Sequence, residues 1–178
     1  MSLHDKYLPR YDFNEVHQKL IDAPAEVIYR LIRNQDFSGS WIIRALFFLR
    51  GLPAKKVTIK GLTDRKFVVL EERPNEEIII GLIGQFWKPT GELQSFEPNA
   101  FISFKGPFAK ATWTFELKSQ ANQKMLITET RIACPDKETK ESFSRYWFVI
   151  KPFSGLIRRE MLRAIKVKAE RQAKQLCA

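Results

Sequence analysis

Histidine, cysteine and glycine are scarce in this 178-residue chain, with two, two and eight copies respectively. The histidines are His4, near the start, and His17, in a predicted strand. A histidine-centred hydrolase or a metal centre is therefore not expected. Cys134 and Cys177 are too few and too far apart for a disulfide framework or a zinc cluster, and a reducing cytoplasm is the simplest setting. Gly81-Leu-Ile-Gly84 is not followed by Lys-Ser or Lys-Thr, so it is no phosphate loop and reads as the bent end of a strand. Long apolar runs are missing too. The longest, Trp41 to Leu49, is broken by Arg44, and the N-terminus lacks a signal-peptide pattern, so a soluble intracellular protein is expected. No neighbouring carboxylates have the setting of a glycosidase pair. Neither catalytic residues nor a cofactor are assigned, and nothing specifies an oligomeric state.

Acidic residues are outnumbered, 20 against 30 Lys and Arg, which leaves a net charge of +10. The excess is concentrated at the C-terminus. From Lys140 onward, ten basic residues meet only Glu141, Glu160 and Glu170. Such a segment is a solvated helix face laced with pairs such as Lys166 to Glu170, or else a weak contact for an anionic membrane. Nucleic acid is the poorer candidate, because aromatic residues do not interleave with this basic face as a stacking platform requires.

Aromatics are abundant, including 14 Phe and four Trp. They predict a bulky interior, in which rings either fill the core or line a cavity. The length suits one domain, read as a loose arm over residues 1–10 followed by a single domain over 11–178. Residues 12–21 read as a strand, and Asp22-Ala-Pro-Ala-Glu26 opens a helix over 24–34 with Val27, Ile28, Leu31 and Ile32 inward. A second short helix follows at 41–51, apolar on nearly all sides and stopped by Gly51 and Pro53. Strands are predicted at 67–73, 77–84 and 100–104. The clearest hairpin joins 110–119 to 124–133, with Ala111, Trp113, Phe115 and Leu117 alternating inward. A long helix beginning after Pro135-Asp136 ends the chain. It is strongly aromatic from Phe143 to Phe153, interrupted near Pro152 and Gly155, and then basic over an apolar stripe of Ile157, Met161, Leu162 and Ile165.

This order gives an α+β fold, in which a curved antiparallel sheet wraps a long C-terminal helix and two short helices follow the first strand. It resembles the START-like helix-grip superfamily, also called SRPBCC, which includes polyketide cyclases and the birch pollen allergen. The resemblance covers roughly residues 11–174. It rests on the Leu20-Ile-Asp-Ala-Pro-Ala-Glu-Val27 junction, the Thr128-Glu-Thr-Arg-Ile132 strand and the final helix. The blocks Gly84-Gln-Phe-Trp-Lys-Pro89 and Pro152-Phe-Ser-Gly-Leu-Ile-Arg-Arg-Glu-Met161 are similar to those of small bacterial members.

The resemblance implies a cavity between sheet and helix that binds or carries a small hydrophobic molecule such as a lipid, a sterol-like compound or a polyketide. Its expected wall is Phe47, Phe48, Phe86, Trp87, Trp113, Phe115, Tyr146, Trp147 and Ile150, rings that alternatively fill the space themselves. The hairpin allows two registers. Facing pairs whose numbers sum to 242 put Thr112 opposite Thr130 and Thr114 opposite Thr128 outside, and turn Glu129 and Arg131 into the cavity as its polar end. The register one residue longer faces Leu126, Thr128, Thr130 and Ile132 inward and sends the charges to solvent. The first is the expectation. In it a cyclase- or dehydratase-type enzyme is the alternative function, with Glu129 or Tyr146 moving a proton and Arg131 stabilising an oxyanion.

Overall fold

A computed structural model describes residues 2–34, 66–88 and 92–176. The expected helix over 41–51, and with it Phe47 and Phe48, lies outside the described residues. The elements are helix α1 (Leu3–Tyr7), strand β1 (Phe13–Ile21), helix α2 (Ala25–Asn34), strands β2 (Val68–Arg73) and β3 (Glu77–Gly84), a 3-10 turn (Pro98–Ala100), strands β4 (Ala109–Gln120) and β5 (Gln123–Ala133), and helix α3 (Lys137–Leu176). The described strands form one antiparallel sheet in the order β1-β5-β4-β3-β2. Each strand after β1 pairs with the next in sequence, and β5 closes back onto β1, so one curved surface receives α2 and α3.

The β4–β5 hairpin takes the longer register. Leu117 pairs with Leu126, Phe115 with Thr128, Trp113 with Thr130 and Ala111 with Ile132. Its loop is the two residues Ala121 and Asn122, with Ala121 at a φ of 50°. Two-residue loops with a left-handed first residue match the twist of paired strands. The expected placement of Glu129 and Arg131 is therefore corrected: both lie on the face away from α3. The inward positions go to Leu126, Thr128, Thr130 and Ile132, which need no charge to be buried among rings.

Two further expectations change. Residues 100–104 are not a strand: Pro98 opens a 3-10 turn, and Phe101 is fully buried beside Leu3, Leu70, Ile79 and Ile83 under the outer face of the sheet. Helix α3 also runs unbroken through Pro152 and Gly155 for 40 residues. Proline at 152 removes the amide that would bond the Phe148 carbonyl, but this turn faces solvent, where water can satisfy that oxygen. Gly155 is buried in the helix interior, and a Cβ there would lie 2.7 Å from Glu15 Oε1. The glycine permits close approach of helix and sheet, and it does not break the helix.

The first residues are not a loose arm. Ser2 caps α1 by accepting a hydrogen bond from the Asp5 amide, Leu3 is fully buried, and the Leu3 amide donates to both carboxylate oxygens of Glu77 at 3.1 Å. His4 inserts against the outer face of the sheet, with Nδ1 3.1 Å from Thr112 Oγ1 and Nε2 2.9 Å from Thr114 Oγ1 and 3.3 Å from the Glu129 carbonyl. Both ring nitrogens are thus within hydrogen-bond distance of a threonine hydroxyl, which can donate or accept. Asp5 accepts from Arg131, which also donates to Glu129. The two charges expected in the cavity thus pair with each other after all, but beneath α1.

This docking is testable in two ways. Leu3→Ala should lower the unfolding free energy in denaturant titration by about 2–4 kcal/mol, the usual cost of emptying a packed leucine site. A loose arm would show no change. Burial pushes the His4 pKa down from 6.5 to about 4, against the attraction of Glu129. Between those values the unfolded chain binds a proton that the folded one refuses. Stability should therefore fall as pH is lowered from 6.5 to 4, by on the order of 3 kcal/mol at the lower end. In His4→Gln that slope should largely vanish, and an unchanged slope would assign it to other groups.

Candidate functional site

The inner face of the sheet carries two separate hydrophobic clusters. One joins α2, the second half of α3 (Ile157, Met161, Leu162, Ile165, Ala169) and Ile78, Ile80 and Phe115. The other is centred on Phe143, whose ring contacts those of Phe13, Phe86, Trp87, Tyr146 and Trp147 at centroid distances of 5.0 to 6.3 Å. Between these clusters α3 presents Ser154 and Gly155 to the sheet. Beside the small Ser154 a cavity of about 160 Å³ remains, while at Gly155 the Glu15 side chain fills the space between helix and sheet. Among the described residues its apolar wall includes Ile80, Leu82, Phe86, Ala111, Trp113, Ile132, Phe143 and Trp147.

The polar lining residues include Thr130 from β5 and Ser154 and Arg158 from α3. The Arg158 side chain is 13% exposed. Its guanidinium stacks 4.9 Å from the centre of the Trp113 ring, and its Nε lies 4.0 Å from Glu15 Oε2. Glu15 is itself buried, and its other oxygen is 2.9 Å from His17 Nε2. The Thr130 hydroxyl is buried without a hydrogen-bond partner among the described residues. The cation thus lies over a ring beside a buried carboxylate, while a hydroxyl contributed by the sheet to the same cavity has bonding capacity to spare.

Of the expected wall residues, Phe86, Trp113, Tyr146 and Trp147 do line the cavity. Phe115 is almost fully buried in the neighbouring cluster, Trp87 backs the wall through Phe143, and Ile150 is not among the lining residues. Glu129 and Arg131 belong to the opposite face. Sequence reasoning missed Ser154 and Arg158, and turned Thr130 inward only in the alternative register, which is the one observed. Arg158 belongs to the basic C-terminal run, yet it stands four residues after Ser154 and four before Leu162, in phase with the buried stripe. That spacing was a usable signal. Cys134 is the free thiol of the described residues, and burial, aided by Asp12, pushes its pKa up to about 12, which keeps it protonated and unreactive.

The strand order, the helix α2 after β1 and the terminal helix seated across the concave face define the architecture. This is a helix-grip arrangement. No protein-family model matches the sequence, and no curated protein matches it significantly. Solved structures that are similar in outline include the Aha1 dimer from Colwellia psychrerythraea, at 13% identity over 89% of this chain and 97% of that one, with a TM-score of 0.39. The Zhui aromatase/cyclase from Streptomyces sp. R1128 is 13% identical over 90% of this chain and 94% of its own, with a TM-score of 0.36. Ara h 8.0201 is 7% identical over 86% of this chain and 97% of its own, at 0.31. At such identities and scores, what those proteins bind or catalyse is theirs alone.

The spare hydroxyl yields a prediction. Thr130→Val removes a buried oxygen that lacks a partner among the described residues and keeps the side-chain shape, so the unfolding free energy in denaturant titration should stay unchanged or rise, by up to about 1 kcal/mol. A loss of more than that would mean the hydroxyl is already bonded in the protein.

Proposed function

We propose that this protein binds a small, largely apolar molecule carrying one polar or anionic end, held between the sheet and α3. The supporting observation is the cavity itself, whose lining is mostly aromatic and aliphatic and includes Thr130, Ser154 and Arg158 as polar groups. A buried guanidinium prefers a carboxylate or phosphate, which can accept two parallel N–H bonds. The space of about 160 Å³ is similar to that of an apolar cavity that accommodates a benzene ring, about 150 Å³. An aromatic acid or a short acyl chain therefore suits the described walls better than the fused rings of a sterol or polyketide. Carriage is the reading that follows, because a walled apolar site with one polar anchor retains such a molecule in water. The cyclase- or dehydratase-type alternative loses the Glu129 and Arg131 pair that would run it, leaving Tyr146 as the one of those three residues on the wall.

The test is titration of tryptophan fluorescence with a short-chain fatty acid and with the alcohol of the same chain. Arg158→Leu should weaken the acid by roughly tenfold or more while leaving the alcohol nearly unchanged. Ala111→Phe, which fills the cavity from β4, should abolish both. Retained binding in Ala111→Phe would move the ligand elsewhere. Equal loss of acid and alcohol in Arg158→Leu would remove the anionic end from the proposal.

A further inference from the structure

On the side of α3 turned away from the sheet, apolar side chains stand in water. Phe148 is 85% exposed, Val149 59% and Leu156 46%, and Pro152 is exposed between them. Their spacing of three and four residues puts them on one stripe, about 12 Å long at the helical rise. Arg145, Lys151 and Arg159 surround the stripe, and all three are exposed. Between Glu141 and Glu160 the sequence contains no carboxylate at all. The same stretch of helix is therefore amphipathic in two directions. Phe143, Tyr146 and Trp147 face the sheet or the cavity, and Phe148, Val149 and Leu156 face out.

A large ring left exposed costs solvation free energy that a folded chain normally recovers by burial. Between Glu141 and Glu160 the charged residues of this helix are all cations. We infer that this face of α3, centred on Phe148 with Arg145, Lys151 and Arg159 around it, docks the protein on an anionic lipid surface. A narrow convex stripe on a single helix lies along a bilayer interface with its apolar side chains below the headgroups. The long basic side chains reach the phosphates at their edge. The distal basic residues Lys168, Arg171 and Lys174 have no comparable apolar partner: Val167 at 54% and Leu176 at 72% stand singly, and Glu170 is close by and pairs with Lys166. Among the described residues no helix is long and apolar enough to cross a membrane, so the contact is one of adsorption. The surface does not depend on whether the cavity holds a ligand.

The experiment is co-sedimentation of the full chain with vesicles of phosphatidylcholine alone and of phosphatidylcholine mixed with phosphatidylserine, at low and high salt. The wild type should bind the mixed vesicles, weaken with salt and ignore the neutral ones. Phe148→Glu should reduce that binding at least roughly tenfold with an unchanged melting temperature, because the side chain is exposed. Arg145→Gln, Lys151→Gln and Arg159→Gln together should reduce it and flatten the salt dependence. Lys168→Gln, Arg171→Gln and Lys174→Gln together should have a smaller effect. The inference is overturned by absent binding to mixed vesicles, by equal binding to neutral ones, or by full binding of Phe148→Glu. A larger loss from the distal triple variant than from the proximal one would likewise overturn it, since it would reduce the contact to general charge attraction.

Discussion

The turn of two residues between β4 and β5 is the constraint on which the rest of the structure depends. Side chains alternate along a strand, so the length of that turn decides which half of β5 faces the terminal helix. With Ala121 and Asn122 alone in the loop, Leu126, Thr128, Thr130 and Ile132 face α3, and Glu129 and Arg131 face away. One residue more or less in the loop would place a carboxylate and a guanidinium among aromatic rings. The outward charges in turn fix the N-terminal helix: Arg131 holds Asp5, and His4 fits between Thr112 and Thr114 on the same face. The sheet is thus covered on both sides, by α2 and α3 within and by α1 and the Phe101 cluster without.

The cavity follows from side-chain size along α3. Bulky residues at Phe143 and again from Ile157 onward bind the helix to the sheet at two levels, and the small Ser154 and Gly155 lie between them. Two well-packed ends separated by small residues leave a void that neither end can collapse into, because dense packing on both sides resists the shift. Glu15 then takes up the space over Gly155 and holds Arg158 against Trp113. The polarity of one cavity wall and the close approach of the helix have the same cause, the missing side chain at 155.

Helix α3 consequently serves two surfaces. Its inner side closes a cavity, and its outer side displays an apolar stripe among cations over the same turns. A molecule with an apolar body and an anionic end would meet the same chemistry at each, rings beside guanidinium groups.

The sequence by itself determined the strands β1 to β5, helix α2 and the long terminal helix, their order, and the aromatic character of the first half of α3. These depend on local periodicity and on turn residues such as Pro24, Pro74 and Pro135, which act within a few positions of chain. It also carried the phase that turns Arg158 inward, four residues from Ser154 and from Leu162, a signal lost in the surrounding basic run. Only the tertiary structure decided the parity of β5, the docking of Leu3 and His4, and the buried state of Gly155. Hairpin parity hinges on a single residue of loop length, which alternation along either strand cannot reveal. Burial of Leu3 and close packing at Gly155 depend on residues distant in the chain, Glu77 for the one and Glu15 for the other, which come near only when the sheet has formed.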